Sequence, residues 1–73
     1  MKILSDAHVG DIVRVKSNDA KDSLKERLLA LGLTNGADVE VLRIGPKNNL
    51  TVFRIRGAMI ALRKEESKYI KIV

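Results

Sequence analysis

Residues 50–62 read LTVFRIRGAMIAL, which is two apolar runs divided by Gly57. In the first run Phe53 and Ile55 are separated by Arg54, which is the period of a strand with one buried face. The second run is almost fully apolar, as in a strand that lies in the centre of a sheet or at a barrel seam. Gly57 breaks or bends the chain between them. The stretch therefore predicts two strands on either side of Gly57.

Three further strands are predicted from similar patterns. Residues 12–16 alternate β-branched and basic side chains. Residues 35–36 are Asn-Gly, a strong turn signal, and a strand from about 38 to 44 follows it. Residues 45–49 form a polar loop, and residues 69–73 form the last strand. The chain is thus predicted to be mainly β.

One segment, residues 20–31, has the period of a helix. Its apolar stripe contains Ala20, Leu24, Leu28 and Leu31. Residues 17–19 offer N-cap side chains, and Gly32 is placed to end the helix in the left-handed conformation. Leu29 lies about 140° from Leu24 around the helix axis and falls on the polar side. Residues 63–67 are predicted to form a single further helical turn.

The chain has 73 residues, so we expect a single domain spanning residues 1–73. Five short strands, with one α-helix inserted after the first, favour closure into a small SH3-like barrel, because closure removes exposed edges. An OB-fold is the alternative, but its helix normally lies between the third and fourth strands.

The composition argues against several classes of function. There is no Cys, so no disulfide or thiolate site exists, which suits a reducing cytoplasm. His8 is the only His, and the sequence identifies no carboxylate partner and no activated nucleophile for it. No apolar run approaches the about 20 residues of a membrane-spanning helix. We therefore expect a cytoplasmic protein that is not an enzyme and has no resident cofactor.

Two kinds of binding remain to be weighed. His8, Asp6 and Asp11 are close in sequence and are candidate ligands for weak divalent metal binding, or they form an ordinary exposed turn. The net charge of +5 is compatible with nucleic-acid binding, with a solvated face, or with attraction to an anionic membrane surface or an acidic partner. Phe53 and Tyr69 are the only aromatic residues, too few for a base-stacking platform, so we expect no nucleic acid.

Two stretches carry a resemblance to a known family. Residues 27–42, RLLALGLTNGADVEVL, resemble the signature segment of the FeoA family, in which Arg-Leu and Leu-Gly pairs end a helix before a Gly-containing turn and a strand. Residues 57–72, GAMIALRKEESKYIKI, look like the family's ending. Together with the strand after residues 10–11, the resemblance covers nearly the whole chain.

The resemblance implies a cytoplasmic, SH3-like accessory protein of bacterial ferrous iron uptake. Its partner would be FeoB, a membrane permease with a cytoplasmic GTP-binding domain, and the chain would reach the inner membrane through that partner. A similar domain ends the DtxR-type metal-dependent repressors. The alternatives are therefore a free-standing metal-responsive regulatory domain, like the repressor barrel, and a basic nucleic-acid-binding module.

We expect partner binding at two places. Leu29 is an apolar residue on a polar helix face, where it either anchors a partner or contacts another strand or loop of its own chain, and Lys25 lies on the same helix. The loop residues Pro46, Lys47 and Asn48 are the second candidate, and there the sequence departs from the Leu-Gly-Asp-Pro-like loop common in the family. These five residues form the predicted docking site.

Overall fold

The computed structural model describes residues 2–73, and the side chains of all of these residues except Asn48. These described residues form six strands and two helices: β1 (Lys2–Ile3), β2 (Ile12–Asn18), α1 (Asp22–Ala30), β3 (Asp38–Ile44), β4 (Leu50–Ile55), β5 (Ala58–Arg63), α2 (Lys64–Ser67) and β6 (Ile70–Ile72). Short 3₁₀ turns cover Leu4–Asp6 and Pro46–Asn48. Within the described residues, no helix has the length and apolar character needed to cross a membrane.

The strands form one antiparallel sheet in the order β1-β6-β2-β3-β4-β5. Strand β2 belongs to both halves of this sheet. Residues 12–14 pair with β3, residues 15–18 pair with β6, and the pairing with β6 has a bulge between Val15 and Ser17. A bulge bends and twists a strand, so β2 turns from one half of the sheet into the other. The two halves enclose a common core.

Thirteen buried apolar residues form this core: Leu4, Val15, Ala20, Leu28, Leu33, Ala37, Val39, Val41, Phe53, Ile55, Leu62, Ile70 and Ile72. Phe53 is the largest of them and is 1% exposed, as its alternation with Arg54 predicts. Leu28 is the one fully buried residue of α1. Because α1 contributes so little else, the sheet supplies most of the apolar area that stabilises the fold.

The start of helix α1 differs from the prediction. The helix begins at Asp22, and the residue before it, Lys21, makes no side-chain cap. The predicted caps at residues 17–19 are wrong, since residues 17 and 18 belong to β2. Asn18 instead accepts a hydrogen bond from the N–H of Ala20 (3.0 Å) and donates one to the carbonyl of Lys25 (3.3 Å). This side chain therefore fixes the connection from strand to helix.

The end of α1 agrees with the prediction. Gly32 has φ +106°, and its N–H donates to the carbonyl of Leu29 (3.0 Å). A Cβ at Gly32 would stand 3.0 Å from Cγ2 of Ile55, so the helix ends against β4 with almost no spare room. Leu33 then turns back into the core.

The mainly-β class is confirmed, and two details are corrected. Strand β1 has two residues, too few for a periodic pattern, so it was not predicted; the helix follows the second strand instead of the first. Strand β5 is not central in spite of its apolar sequence, because it is the last strand of the sheet. The predicted helical turn near residues 63–67 is confirmed as α2.

Candidate docking surface

An open groove of about 620 Å³ lies where α2, the loop before β4 and the turn after β1 meet. Its lining includes three basic side chains, Lys47, Lys64 and Lys68, and two carboxylates, those of Asp6 and Glu65. None of the three lysines has a carboxylate oxygen within 4.0 Å in the part of the chain that the structure describes. The groove thus presents unneutralised ammonium groups to a ligand.

Backbone hydrogen bonds hold the loop wall of the groove. The N–H of Gly45 donates to the carbonyl of Leu50 (2.6 Å), which closes the loop at its base. The N–H of Lys64 donates to the carbonyl of Asn49 (3.2 Å), which ties the loop to the start of α2. Lys47 has φ +61°, a left-handed conformation that turns the loop sharply. The predicted loop site is therefore a defined wall of the groove.

The other wall, α2, is joined to α1 by a charged pair. The guanidinium of Arg27 donates to the Glu66 carboxylate, and the N–H of Arg63 donates to the same carboxylate (3.0 Å). The Arg63 N–H, followed by the charge and hydrogen bond of Arg27, holds the pKa of Glu66 below its usual value. Helix α2 consequently connects the helix α1 with the lysine-lined groove.

The five predicted docking residues fall in two separate places. Leu29 is 40% exposed on α1, and Lys25 is exposed on the same helix. Lys47 lines the groove and Pro46 is exposed beside it, whereas the side chain of Asn48 is outside those the structure describes. The site prediction stays a prediction, with α2 lying between its two parts.

Sequence reasoning did not find two of the groove lysines as a pair. Lys64 and Lys68 are four residues apart around α2, the spacing that places side chains on one side of a helix. The four-residue spacing in the sequence could have predicted that the two lysines lie on the same side of α2. Lys68 also lies over the ring of Tyr69, with its ammonium 5.2 Å from the ring centroid.

The predicted metal ligands lie around a second, smaller pocket of about 350 Å³. Asp6, His8 and Asp11 all line it. The N–H of His8 donates to Asp11 Oδ2 (2.9 Å), and His8 Nδ1 is 3.8 Å from the same oxygen. Within residues 2–73, no group of three or more His, Asp or Glu side chains is arranged to hold a metal ion. Metal binding here therefore stays an expectation of weak affinity.

The fold and its surface define a small antiparallel barrel with a charged open groove, a class suited to binding. A family model described as the FeoA domain matches residues 2–73. The chain belongs to the FeoA family, which is linked to ferrous iron transport.

Solved structures of FeoA proteins agree with this assignment. Iron(II) transport protein A of Clostridium thermocellum is 28% identical with a TM-score of 0.92, and the match covers 97% of this chain and 44% of that one. The FeoA protein of Chlorobium tepidum is 31% identical with a TM-score of 0.90, covering 97% and 68%. Stenotrophomonas maltophilia FeoA, complexed with zinc and described as a prokaryotic SH3 domain protein, is 25% identical with a TM-score of 0.89, covering 100% and 91%.

These neighbours confirm the predicted SH3-like fold. The chain spans less than half the length of the first of them and about two thirds of the second. A manganese-dependent transcriptional repressor also shares the fold, at 20% identity and a TM-score of 0.89 over 99% of this chain and 36% of that one. That likeness confirms the predicted similarity of fold to metal-dependent repressors. No match was found among curated proteins.

Proposed function

We propose that the protein is a cytoplasmic accessory factor of bacterial ferrous iron uptake. It docks on the cytoplasmic GTP-binding part of a FeoB-type permease and modulates the passage of Fe²⁺, with no catalysis of its own. The observation that carries the proposal is the match of the FeoA domain to residues 2–73, since that family is linked to ferrous iron transport.

The surface supports a docking role. The net charge is +5, and the groove lining contributes three lysines against two carboxylates, none of the lysines being in an ion pair among the described residues. A basic surface speeds encounter with an acidic domain and is attracted to the anionic inner leaflet beside it. The exposed Leu29 supplies an apolar anchor of the kind that carries binding energy when a partner covers it.

The test is a calorimetric titration of the protein with the cytoplasmic part of the permease, in the nucleotide-free, GDP-bound and GTP-analogue-bound states. We expect wild type to bind, and Leu29→Asp to weaken binding by about 30-fold, which is the scale of a hot spot. Lys47→Glu, in the groove, should also weaken it. Val9→Asp is the matched control, because Val9 is an exposed apolar residue outside the predicted docking site.

Two results would contradict parts of the proposal. Absence of wild-type binding in all three nucleotide states would overturn docking on the permease. Binding that is equally unchanged by Leu29→Asp and Val9→Asp would keep the partner but remove α1 from the interface.

A further inference from the structure

Among residues 2–73, no strand pairs with the outer edge of β5. Strand β5 pairs with β4 through a two-residue turn in which Arg56 and Gly57 both have positive φ, +51° and +82°. In such a hairpin the closing residues, here Ile55 and Ala58, exchange both backbone hydrogen bonds, and the pattern alternates from there. The N–H and C=O groups of Met59 and Ala61 therefore point away from β4, toward the outer edge.

These outward groups are free in the part of the chain that the structure describes. The N–H and C=O groups of Met59 and Ala61 take no part in the β4–β5 ladder, and no backbone hydrogen bond outside that ladder involves either residue. Both residues are exposed, Met59 at 67%. The next outward N–H, that of Arg63, is taken by the Glu66 carboxylate. The open edge is consequently short and defined, with two donors and two acceptors.

Apolar side chains flank this open edge on the outer face of the sheet. Met59 and Ala61 belong to β5, and Val52 lies opposite Ala61 on β4. Leu50, two residues before Val52 on β4, is 42% exposed and lies opposite Arg63. Edge strands are usually protected by charges, Pro or a covering element. Residues 58–62 contain no charge and no Pro. An unprotected apolar edge of this kind is a template for an added strand.

The charges at both ends of the edge indicate what the added strand carries. Residues 50–64 contain four basic residues and no acidic one: Arg54, Arg56, Arg63 and Lys64. Arg54 is 3.3 Å from Glu40, but Arg56, Arg63 and Lys64 have no carboxylate within 4.0 Å among the described residues. Acidic residues at the two ends of an added strand would neutralise Arg56 at one end and Arg63 and Lys64 at the other.

The same charges oppose pairing of β5 with a second copy. An antiparallel pair that keeps both outer faces on one side and matches the free groups centres on Ile60. That register brings Arg63 and Lys64, at the end of β5, toward the turn residues Arg56 and Gly57 of the neighbouring copy. Basic side chains would then meet at both ends, and like charges placed opposite each other destabilise a strand pair.

We propose that the outer edge of β5 receives an extended segment of the protein partner as an added strand, with small or apolar residues at its centre and acidic residues at its ends. The partner is the permease part named in the proposed function, on which this inference rests. Backbone hydrogen bonds to Met59 and Ala61 give the affinity, and Arg56 at one end of the edge and Arg63 and Lys64 at the other select the acidic ends.

The test uses one substitution that removes only an outward donor. Ala61→Pro deletes the free N–H without breaking the β4–β5 ladder, and Pro is tolerated on edge strands. Ala61→Ser is the matched control, since it keeps the N–H. We expect Ala61→Pro to weaken binding to the permease part by at least about 10-fold and Ala61→Ser by less than about 3-fold, with unchanged circular dichroism.

A second measurement does not depend on the Pro variant folding. Amide hydrogen exchange of wild type should slow at least about 10-fold at Met59 and Ala61 when the permease part saturates it, because both N–H groups become hydrogen-bonded. Arg63→Gln should weaken binding and reduce its dependence on salt, whereas Lys16→Gln should do neither.

Each outcome decides between the proposals. Slowed exchange with loss of binding in Ala61→Pro supports strand addition. Wild-type binding with unchanged exchange at Met59 and Ala61 overturns it and leaves the proposed function standing. No wild-type binding overturns the proposed function and this inference together. If the isolated protein shows protection of the Met59 and Ala61 amides that increases with protein concentration, together with the mass of a dimer, the edge is assigned to a second copy instead.

Discussion

At the scale of single residues, neighbours in sequence differ sharply in environment. Leu28 is fully buried in the core, and Leu29 beside it is 40% exposed. The reason is the 100° turn per residue of the helix, which points one side chain at the sheet and the next at solvent. The same substitution at the two positions should therefore have very different consequences.

The first prediction uses that pair. Leu28→Asp should unfold the protein, because an unpaired carboxylate in the core costs several kcal/mol. Leu29→Asp should change the free energy of unfolding by about 0.5 kcal/mol or less, as surface substitutions usually do. Urea denaturation of both variants measures this. If Leu29→Asp also collapses the fold, Leu29 is a core residue and cannot be a docking anchor.

The second prediction concerns the pH dependence that Glu66 contributes. Its pKa is lowered in the folded protein, so its contribution to stability is present above its unfolded value of 4.5 and is lost as the pH falls through the folded value. Between about pH 6 and pH 3, wild type should lose up to about 1 kcal/mol more stability than Glu66→Gln.

Glu65→Gln is the control for this prediction, since Glu65 is exposed and adjacent but forms no ion pair among the described residues. Its stability should follow the wild-type pH profile. Denaturation midpoints measured across the acid range give the comparison. A Glu66→Gln profile parallel to wild type would mean that the pair with Arg27 adds nothing to the acid sensitivity.

At the scale of elements, the connection between α1 and the sheet is made by close approach. Gly32 ends the helix in a left-handed conformation directly beside Ile55 of β4. Gly36, a few residues on, has φ +84° but open space around the place of its missing Cβ. Both glycines adopt a positive φ, but only at Gly32 would a Cβ also press against a neighbouring side chain.

The third prediction separates these demands. Gly36→Ala should destabilise the fold by about 1 kcal/mol, the cost of a Cβ at positive φ. Gly32→Ala should cost about 1 to 3 kcal/mol more, since the new methyl group also displaces Ile55. Thermal or urea unfolding of the two variants measures the difference. Equal destabilisation would show that β4 shifts freely away from the helix end.

At the scale of the whole molecule, a chain of 73 residues leaves little room for enclosed chemistry. The groove and the small pocket are both at the surface, lined by charged side chains. The chain has a single His and no Cys, so it offers few of the ligand types that bind transition metals selectively.

The fourth prediction follows from that shortage of ligands. The monomer should bind Fe²⁺ or Zn²⁺ no more tightly than the micromolar range. Calorimetry on protein of measured mass tests it, with His8→Ala as the comparison. Stoichiometric submicromolar binding by a monomer would contradict the prediction. The same affinity in an oligomer would point to ligands shared between chains, and His8→Ala should then abolish it.

Local periodicity in the sequence was enough to predict the strands from β2 to β6, the burial of Phe53 and Leu28, and the end of α1 at Gly32. Each of these depends on the alternation of side chains along one element or on the conformation that one glycine allows. Such information lies within a few residues and needs no knowledge of the rest of the chain. Periodicity placed Leu29 on the polar side of the helix but left open whether another part of the chain covers it, and the structure shows it 40% exposed.

Contacts between residues distant in sequence could not be predicted from local patterns and are known only from the tertiary structure. Arg27 and Glu66 are 39 residues apart, and the three groove lysines come from two separate segments. Strand β1 exists because β6 offers it a pairing edge, and the apolar β5 is an outer strand because no strand among the described residues pairs with its other edge. Strand pairing is a long-range choice among several edges, and the side-chain pattern of one strand does not encode which edge it meets.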